Sequence, residues 1–185
     1  RKALVLYHKA VLLKEKNEVD KALPYYLQAS EEVKLTEDYR LAYLIYSHIG
    51  MVYAYRDLHN YSIPFCEKAN EYALLSNDSY YIVESYNCIA RTYSAQRNYD
   101  KAVEFYSYSL AADSGFSGAV LNRGNAYFNL VQYKNAITDY YKYLELEPNS
   151  DQKEMILRLI ALLEQELVFQ EEEAERLDPF KDANE

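Results

Sequence analysis

At 185 residues the chain has the length of one ordinary domain, and half of its residues are hydrophobic. A charged fraction of 26%, with only four Gly and four Pro, indicates a helix-rich globular protein and excludes a disordered one. The net charge of −9 argues against nucleic-acid binding, which needs a concentrated basic surface. The sequence has no run near the roughly 18 apolar residues that a membrane span requires.

The acidic residues are concentrated near the C-terminus. Residues 149–185 contain 11 acidic and 4 basic side chains, which gives a net charge of −7. The residues before them contain 18 acidic and 16 basic side chains, which gives a net charge of −2. The larger part of the chain is therefore close to neutral, and any preference for a charged partner must be local.

In chain order, the sequence predicts four helical hairpins, which begin near Ala3, Tyr43, Val83 and Ser117. The intervals between these starting points are about 40, 40 and 34 positions. Each hairpin has a small residue at both positions where its two helices would cross, because a side chain larger than Ser would hold the backbones apart. These pairs are Ala10 and Ala22, Gly50 and Ser62, Ala90 and Ala102, and Gly124 and Ala136.

The fourth repeat has the clearest pattern, in which small and aromatic residues alternate and a proline follows the second helix. Its residues are Gly124, Asn125, Ala126, Tyr127, Ala136, Tyr140 and Pro148. In the second repeat Cys66 replaces the aromatic residue. This pattern resembles the tetratricopeptide repeat. The resemblance implies an all-α fold, a right-handed α-α superhelix of four helix hairpins plus a C-terminal capping helix, of a bacterial type with mixed 40- and 34-residue repeats.

We expect a single domain over residues 1–185. Its predicted parts are repeats at about 3–42, 43–82, 83–116 and 117–150, a capping helix at about 151–177 and an acidic tail at 178–185.

The capping helix has two apolar sets, and its start is marked by Asp151 and Glu154, spaced as a capping pair. The first set is predicted to cover the end of the fourth repeat and consists of Ile156, Ile160, Leu163, Leu167, Ala174 and Leu177. The second set consists of Leu159, Leu162, Val168 and Phe169. Three partners for the second set stay open, namely a second copy in a homodimer, a missing domain, or the convex side of the chain's own repeat.

In the tetratricopeptide family the first helices of successive repeats line a concave groove that receives peptides or partner helices, and the resemblance implies the same surface here. Its predicted residues are Tyr7, His48, Tyr55, Asn87, Arg91, Asn122, Asn125, Phe128 and Asn129. The polar members could hydrogen-bond an extended backbone or a carboxylate. The same asparagines are also common in well-formed repeats without a ligand. Arg91 is the single basic residue of this set, which argues against the family's carboxylate-clamp subset, since that subset needs several.

No residue pattern predicts catalysis, a metal or a cofactor. Cys66 and Cys88 lack CxxC or Cys/His spacing, which favours buried packing cysteines over a zinc site or a disulfide framework. His8, His48 and Cys88 are equivalent in successive repeats, but a separation of about 10 Å between neighbouring helices is too wide for one metal. His59 lies near a helix junction and is predicted to be at the surface. No Ser/His/Asp set, phosphate loop or HExxH motif is present.

We therefore expect a non-enzymatic scaffold that binds a protein or peptide in its groove, with no nucleic acid and no direct membrane span. The alternatives are a sensory or regulatory module of a larger bacterial signalling protein, and a lipoprotein of the bacterial envelope. The chain opens at Arg1 without a signal-like segment. This slightly favours the cytoplasm, and a removed N-terminal signal would instead place the protein in the periplasm or on a lipid anchor.

Overall fold

A computed structural model of the chain describes residues 1–176, and within them nine α-helices and no β-strand. The helices are α1 (Lys2–Glu15), α2 (Val19–Val33), α3 (Tyr39–Tyr55), α4 (His59–Ser76), α5 (Ser79–Ala95), α6 (Tyr99–Ala112), α7 (Ser117–Asn129), α8 (Tyr133–Leu146) and α9 (Lys153–Arg176). The predicted all-α fold is confirmed.

The chain packs as two compact units. The first unit comprises Arg1–Ala119, and the second begins at Val120, inside α7. The prediction of one domain over residues 1–185, with its repeat boundaries, stays a prediction. The predicted acidic tail at 178–185 and the last residue of the predicted capping helix lie outside the described residues.

Three hairpins build the first unit, namely α1 with α2, α3 with α4, and α5 with α6, while α2 packs on α3 and α4 packs on α5. The small residues predicted at the helix crossings are buried in all three hairpins. At Gly50 the approach is so close that a Cβ atom would lie 2.6 Å from the Sγ of Cys66. The backbones of α3 and α4 can therefore cross at this distance only because residue 50 has no side chain.

A left-handed residue closes the turn inside every hairpin. These residues are Asn17, Asp57, Arg97 and Val131, with φ angles of 61°, 56°, 60° and 60°. They follow one another along the chain at the same intervals as the starting points of the sequence repeats. The repeat therefore extends to the backbone conformation of the turns, even though the side chains at this position differ completely.

The second unit contains the hairpin of α7 and α8, followed by α9. A Cβ atom on Gly124 would lie 3.0 Å from the Tyr140 ring and 3.3 Å from the Cβ of Asp139, which places the crossing point at the predicted position. The guanidinium of Arg123 donates two hydrogen bonds to the carboxylate of Asp139, at 2.8 and 2.7 Å. These bonds hold the pKa of Arg123 above its ordinary value.

Helix α9 packs on α8 through part of the predicted stripe. Ile156, Ile160 and Leu163 are buried and Leu167 is half-buried, as expected. The prediction is wrong for Ala174, which is exposed because α9 (24 residues) is much longer than α8 (14 residues). The helix begins at Lys153, and the hydroxyl of Ser150 accepts the backbone N–H of Gln152 just before it.

The second apolar set of α9 remains largely uncovered within its unit. Leu162, Val168 and Phe169 are exposed, and Leu159 is half-buried. Homodimerisation through this face stays a prediction, which light scattering of wild type and a Leu162→Glu variant tests. None of the described helices combines the length and the apolar character that crossing a bilayer requires.

Candidate partner-binding groove

A cavity of about 430 Å³ opens between α3 and α5 in the first unit, and we call it the α3/α5 groove. It falls within the range of about 300–1,000 Å³ that is typical of ligand sites. The residues that line it are Tyr43, Ser47, Met51, Ala54, Tyr55, Asp57, His59, Glu84, Asn87, Cys88, Arg91, Thr92 and Ala95.

Helical periodicity explains why these side chains share one surface. On α3, residues 43, 47, 51 and 55 follow each other at steps of four, and on α5, residues 87, 88 and 91 lie three, four and seven positions after residue 84. Residues with this spacing lie above one another on a single face of a helix. The turn residue Asp57 and the first residue of α4, His59, close one end of the groove.

Three of the predicted binding residues meet in the α3/α5 groove. Tyr55 is 79% exposed, Arg91 is exposed, and Asn87 is buried at 6% exposure. The amide oxygen of Asn87 has no hydrogen-bond partner among the described residues. Leaving a buried acceptor unpaired costs about 1–3 kcal/mol. Because this oxygen is itself shielded from solvent, the members of the set that a ligand can reach directly are Tyr55 and Arg91.

The α3/α5 groove carries charges of both signs. Asp57 and Glu84 contribute carboxylates, and Arg91 contributes a guanidinium. The prediction that His59 lies at the surface is wrong, because its side chain is half-buried in the groove and its Nδ1 is buried without a partner. Its Nε2 lies 3.8 Å from a carboxylate oxygen of Asp57.

Tyr7 and His48 lie elsewhere in the first unit, in an aromatic cluster with Tyr26. The Tyr7 and His48 rings meet edge to face at 5.6 Å, and the Tyr26 and His48 rings stack at 5.3 Å. The Nδ1 of His48 lies 2.8 Å from the carbonyl oxygen of Leu44. Burial lowers the pKa of His48 and raises the pKa of Tyr7. Both side chains therefore pack helices α1, α2 and α3 together.

The predicted residues of the second unit hold their own hairpin together. The amide oxygen of Asn125 accepts a hydrogen bond from the Tyr140 hydroxyl at 2.9 Å, and the amide of Asn129 donates to the backbone carbonyl of Asn125 at 2.8 Å. Phe128 is partly exposed beside the Tyr133 ring, and Asn122 is half-buried. Burial raises the pKa of Tyr140 to about 12, so its hydroxyl remains a donor at neutral pH.

Several residues that line the groove were missed by the sequence reasoning, among them Tyr43 and Cys88. Tyr43 stacks on Tyr81 at 4.4 Å and begins the row of residues that leads to Tyr55, so continuing the four-residue steps backwards would have found it. Cys88 was interpreted as a buried packing residue, although the repeat register makes it equivalent to His48 and Asn122, two predicted groove residues. Among the described residues, no three His, Cys, Asp or Glu side chains come together to hold a metal ion.

Comparisons with known proteins agree with this architecture. The family model described as "Tetratricopeptide repeat" matches residues 119–150, and a second model of the same description matches residues 83–114. A sequence comparison with curated proteins found no match.

Solved structures of similar fold include two domains that carry the name RPAP3 and one domain from a plant. The first tetratricopeptide domain of Spaghetti (RPAP3), bound to the HSP90 peptide SRMEEVD, is 22% identical with a TM-score of 0.59, over 68% of this chain and 93% of that one. The first such domain of human RPAP3 is 22% identical with a TM-score of 0.59, and the match covers 70% of this chain and 95% of that one. The tetratricopeptide domain of Arabidopsis OM64 is 21% identical with a TM-score of 0.57, and the match covers 65% of this chain and 94% of that one. Sequence pattern, helix arrangement and these matches agree, and the chain carries tetratricopeptide repeats at residues 83–114 and 119–150.

Proposed function

We propose that this protein is a non-catalytic interaction scaffold whose α3/α5 groove binds an extended peptide segment of a partner protein. The observation that carries the proposal is the cavity of about 430 Å³ between α3 and α5, whose lining combines the exposed guanidinium of Arg91 with the exposed apolar side chains of Met51 and Tyr55.

The groove offers the two kinds of contact that an extended peptide needs. Asn87 and Arg91 supply an amide and a guanidinium for the peptide backbone or a terminal carboxylate. Met51 and Tyr55 supply exposed apolar surface one helical turn apart on the opposite wall. Polar groups would fix the direction of the peptide, and the apolar wall would bury one of its side chains.

A solved structure of the same fold supports a peptide as the ligand, since the domain of Spaghetti (RPAP3) is bound to the peptide SRMEEVD. That peptide is acidic. In the α3/α5 groove, two carboxylates and one guanidinium face the ligand, so we propose a neutral or mixed-charge peptide instead.

A random peptide library displayed on phage tests the proposal. Peptides selected on the immobilised chain are synthesised, and their dissociation constants are measured by fluorescence anisotropy for wild type, Asn87→Ala and Arg91→Ala. Losing one hydrogen bond to a charged or buried group should weaken binding about tenfold, equivalent to about 1.4 kcal/mol. The peptide SRMEEVD should bind no better than a scrambled sequence.

Matched controls separate the groove from the rest of the surface. Arg158→Ala removes an exposed arginine of α9, and Tyr80→Ala removes an exposed tyrosine outside the groove, to be compared with Tyr55→Ala. Both controls should bind like wild type. If the groove variants bind selected peptides as tightly as the controls do, the peptide site lies elsewhere.

A further inference from the structure

Two cysteine side chains from neighbouring repeats meet behind the α3/α5 groove. The Sγ atoms of Cys66 on α4 and Cys88 on α5 are 3.1 Å apart, about 1 Å more than the ~2.05 Å of a disulfide bond. Cys66 is completely buried, whereas Cys88 also lines the groove. The pair is therefore near bonding distance, and one of its two residues borders a cavity that opens to solvent.

The preceding repeats have two aromatic side chains at the positions equivalent to Cys66 and Cys88. Cys66 occupies the position in the second repeat that Tyr26 occupies in the first, and Cys88 likewise follows His48, so the two contacts are equivalent. Between the first two repeats the rings of Tyr26 and His48 stack at 5.3 Å. Two aromatic rings therefore pack the helices at this position between the first two repeats. Helix packing alone does not require a pair of thiols there.

Hydrogen bonding between the two thiols shifts their pKa values in opposite directions. The two Sγ atoms are 3.1 Å apart, so either thiol can donate to the other, and the hydroxyl of Ser62 lies 3.7 Å from the Sγ of Cys66. These hydrogen bonds lower the pKa of Cys66, chiefly that from Cys88, while the neighbouring sulfur and burial raise the pKa of Cys88. The two thiols therefore titrate as a coupled pair, and once the pair has lost one proton the other is shared between the two sulfurs.

We propose that Cys66 and Cys88 are a redox-active pair that forms a reversible disulfide on exposure to a peroxide, and that this bond fastens α4 to α5. A peroxide reaches the sulfur of Cys88 from the groove. Transfer of the shared proton to Cys66 leaves a Cys88 thiolate, which attacks one peroxide oxygen and breaks the O–O bond. With hydrogen peroxide, Cys88 becomes a sulfenic acid, and the departing hydroxide takes up a proton to form water.

The second step closes the bond. The sulfur of Cys66 attacks the sulfenic sulfur of Cys88, the S–O bond breaks, and the hydroxide leaves with the remaining thiol proton as a second water. Two thiols and one peroxide thus give one disulfide and two waters. A thiol reductant reverses the reaction. The inference does not depend on peptide binding in the groove.

The spacing of cleavage sites makes the test direct, because trypsin cuts after Arg56, Lys68 and Arg91 and places the two cysteines in peptides 57–68 and 69–91. The full chain is treated with hydrogen peroxide, alkylated, and digested without reduction. We expect these two peptides joined, with the intact protein monomeric and lighter by two hydrogen atoms. The Tm should rise by several degrees, because the bond restricts the unfolded chain, and dithiothreitol should reverse the rise.

Cys66→Ser and Cys88→Ser each leave one thiol and serve as matched controls, in which peroxide should give neither the joined peptide nor the rise in Tm. Three outcomes would overturn the proposal: free thiols after treatment of the wild type, sulfinic acids on separate cysteines, or a disulfide between two molecules. A joined peptide without any rise in Tm would overturn the fastening of α4 to α5.

Discussion

Arg91 in the first unit and Asn125 in the second are equivalent residues of successive repeats, yet their surroundings differ. Asn125 is bonded to Tyr140 within its hairpin, and the nearby Arg123 is paired with Asp139. Arg91 is exposed along a cavity, next to an amide oxygen without a partner. The repeat closest to the family pattern uses its polar groups to hold itself together, whereas the repeat before it leaves its arginine exposed.

The largest expected difference between the units is the cost of removing an arginine. Arg123→Ala leaves the carboxylate of Asp139, at 4% exposure, buried without its partner, and should lower the free energy of unfolding by about 3 kcal/mol. Arg91→Ala removes an exposed side chain and should change it by less than about 0.5 kcal/mol. Urea unfolding measures both, and equal losses would contradict the assigned roles.

The next largest difference is expected in the free energy of unfolding when the glycine at each helix crossing, Gly50 or Gly124, is replaced by alanine. Gly50→Ala places a Cβ 2.6 Å from the Sγ of Cys66, and after the gain in helix propensity it should still destabilise by about 1–2 kcal/mol. Gly124→Ala meets the Tyr140 ring at 3.0 Å, so a small ring shift suffices and the net change should be within about 0.5 kcal/mol. Thermal unfolding gives the ranking.

A Cys66→Ala background sharpens this prediction. With the sulfur removed, Gly50→Ala should cost clearly less than it does in wild type. An unchanged cost would show that the clash lies with the α4 backbone, whose Cys66 nitrogen is 3.4 Å from the same Cβ position.

A smaller effect is expected at the left-handed turns. Val131 has a φ of 60°, which is strained for a β-branched side chain, whereas the equivalent Asn17 tolerates its φ of 61°. Val131→Asn should stabilise the second unit by about 1 kcal/mol, and Asn17→Val should destabilise the first by a similar amount. Chemical denaturation tests both, and a loss of stability in Val131→Asn would refute the strain.

The smallest effect should be a pH dependence confined to the first unit. Burial lowers the pKa of His48 below its ordinary value of about 6.5, so the unfolded chain binds the proton more readily than the folded one. Its contribution to stability is present above about pH 6.5 and is lost as the pH falls towards the lower folded pKa.

The variant His48→Gln separates the pH-dependent stability due to His48 from that due to the other two histidines. Between pH 7 and pH 5, wild type should lose more stability than the variant in urea unfolding. Equal losses would mean that His48 is protonated as readily in the folded protein as in the unfolded one.

Sequence periodicity was sufficient to predict the hairpins, because steric exclusion at a helix crossing acts on residue size alone. Gly50 and Gly124 were identified in this way, and the structure places both at close crossings. The buried stripe of α9 was predicted as far as Leu163 from the same kind of regularity. The prediction of burial was wrong at Ala174, because periodicity gives the direction in which a helix face points and not how much of that face a neighbouring helix covers.

The candidate site was only partly predictable. Tyr55 on α3 and Asn87 and Arg91 on α5 lie on faces that the repeat pattern identifies. Tyr7 and His48 occupy equally regular positions but are engaged in ring packing. Position on a face does not determine which neighbour a side chain meets, since that depends on rotamers and on residues of another helix.

For this protein, the sequence by itself determined the helical class, the periods of its repeats and the residues that allow helices to cross, because each follows from local size and spacing. Only the tertiary structure decided that the oxygen of Asn87 is left unpaired while that of Asn125 is satisfied, and that two cysteines of different helices bring their sulfurs within 3.1 Å. Those outcomes depend on distances between helices, which pairwise packing sets and no local pattern encodes.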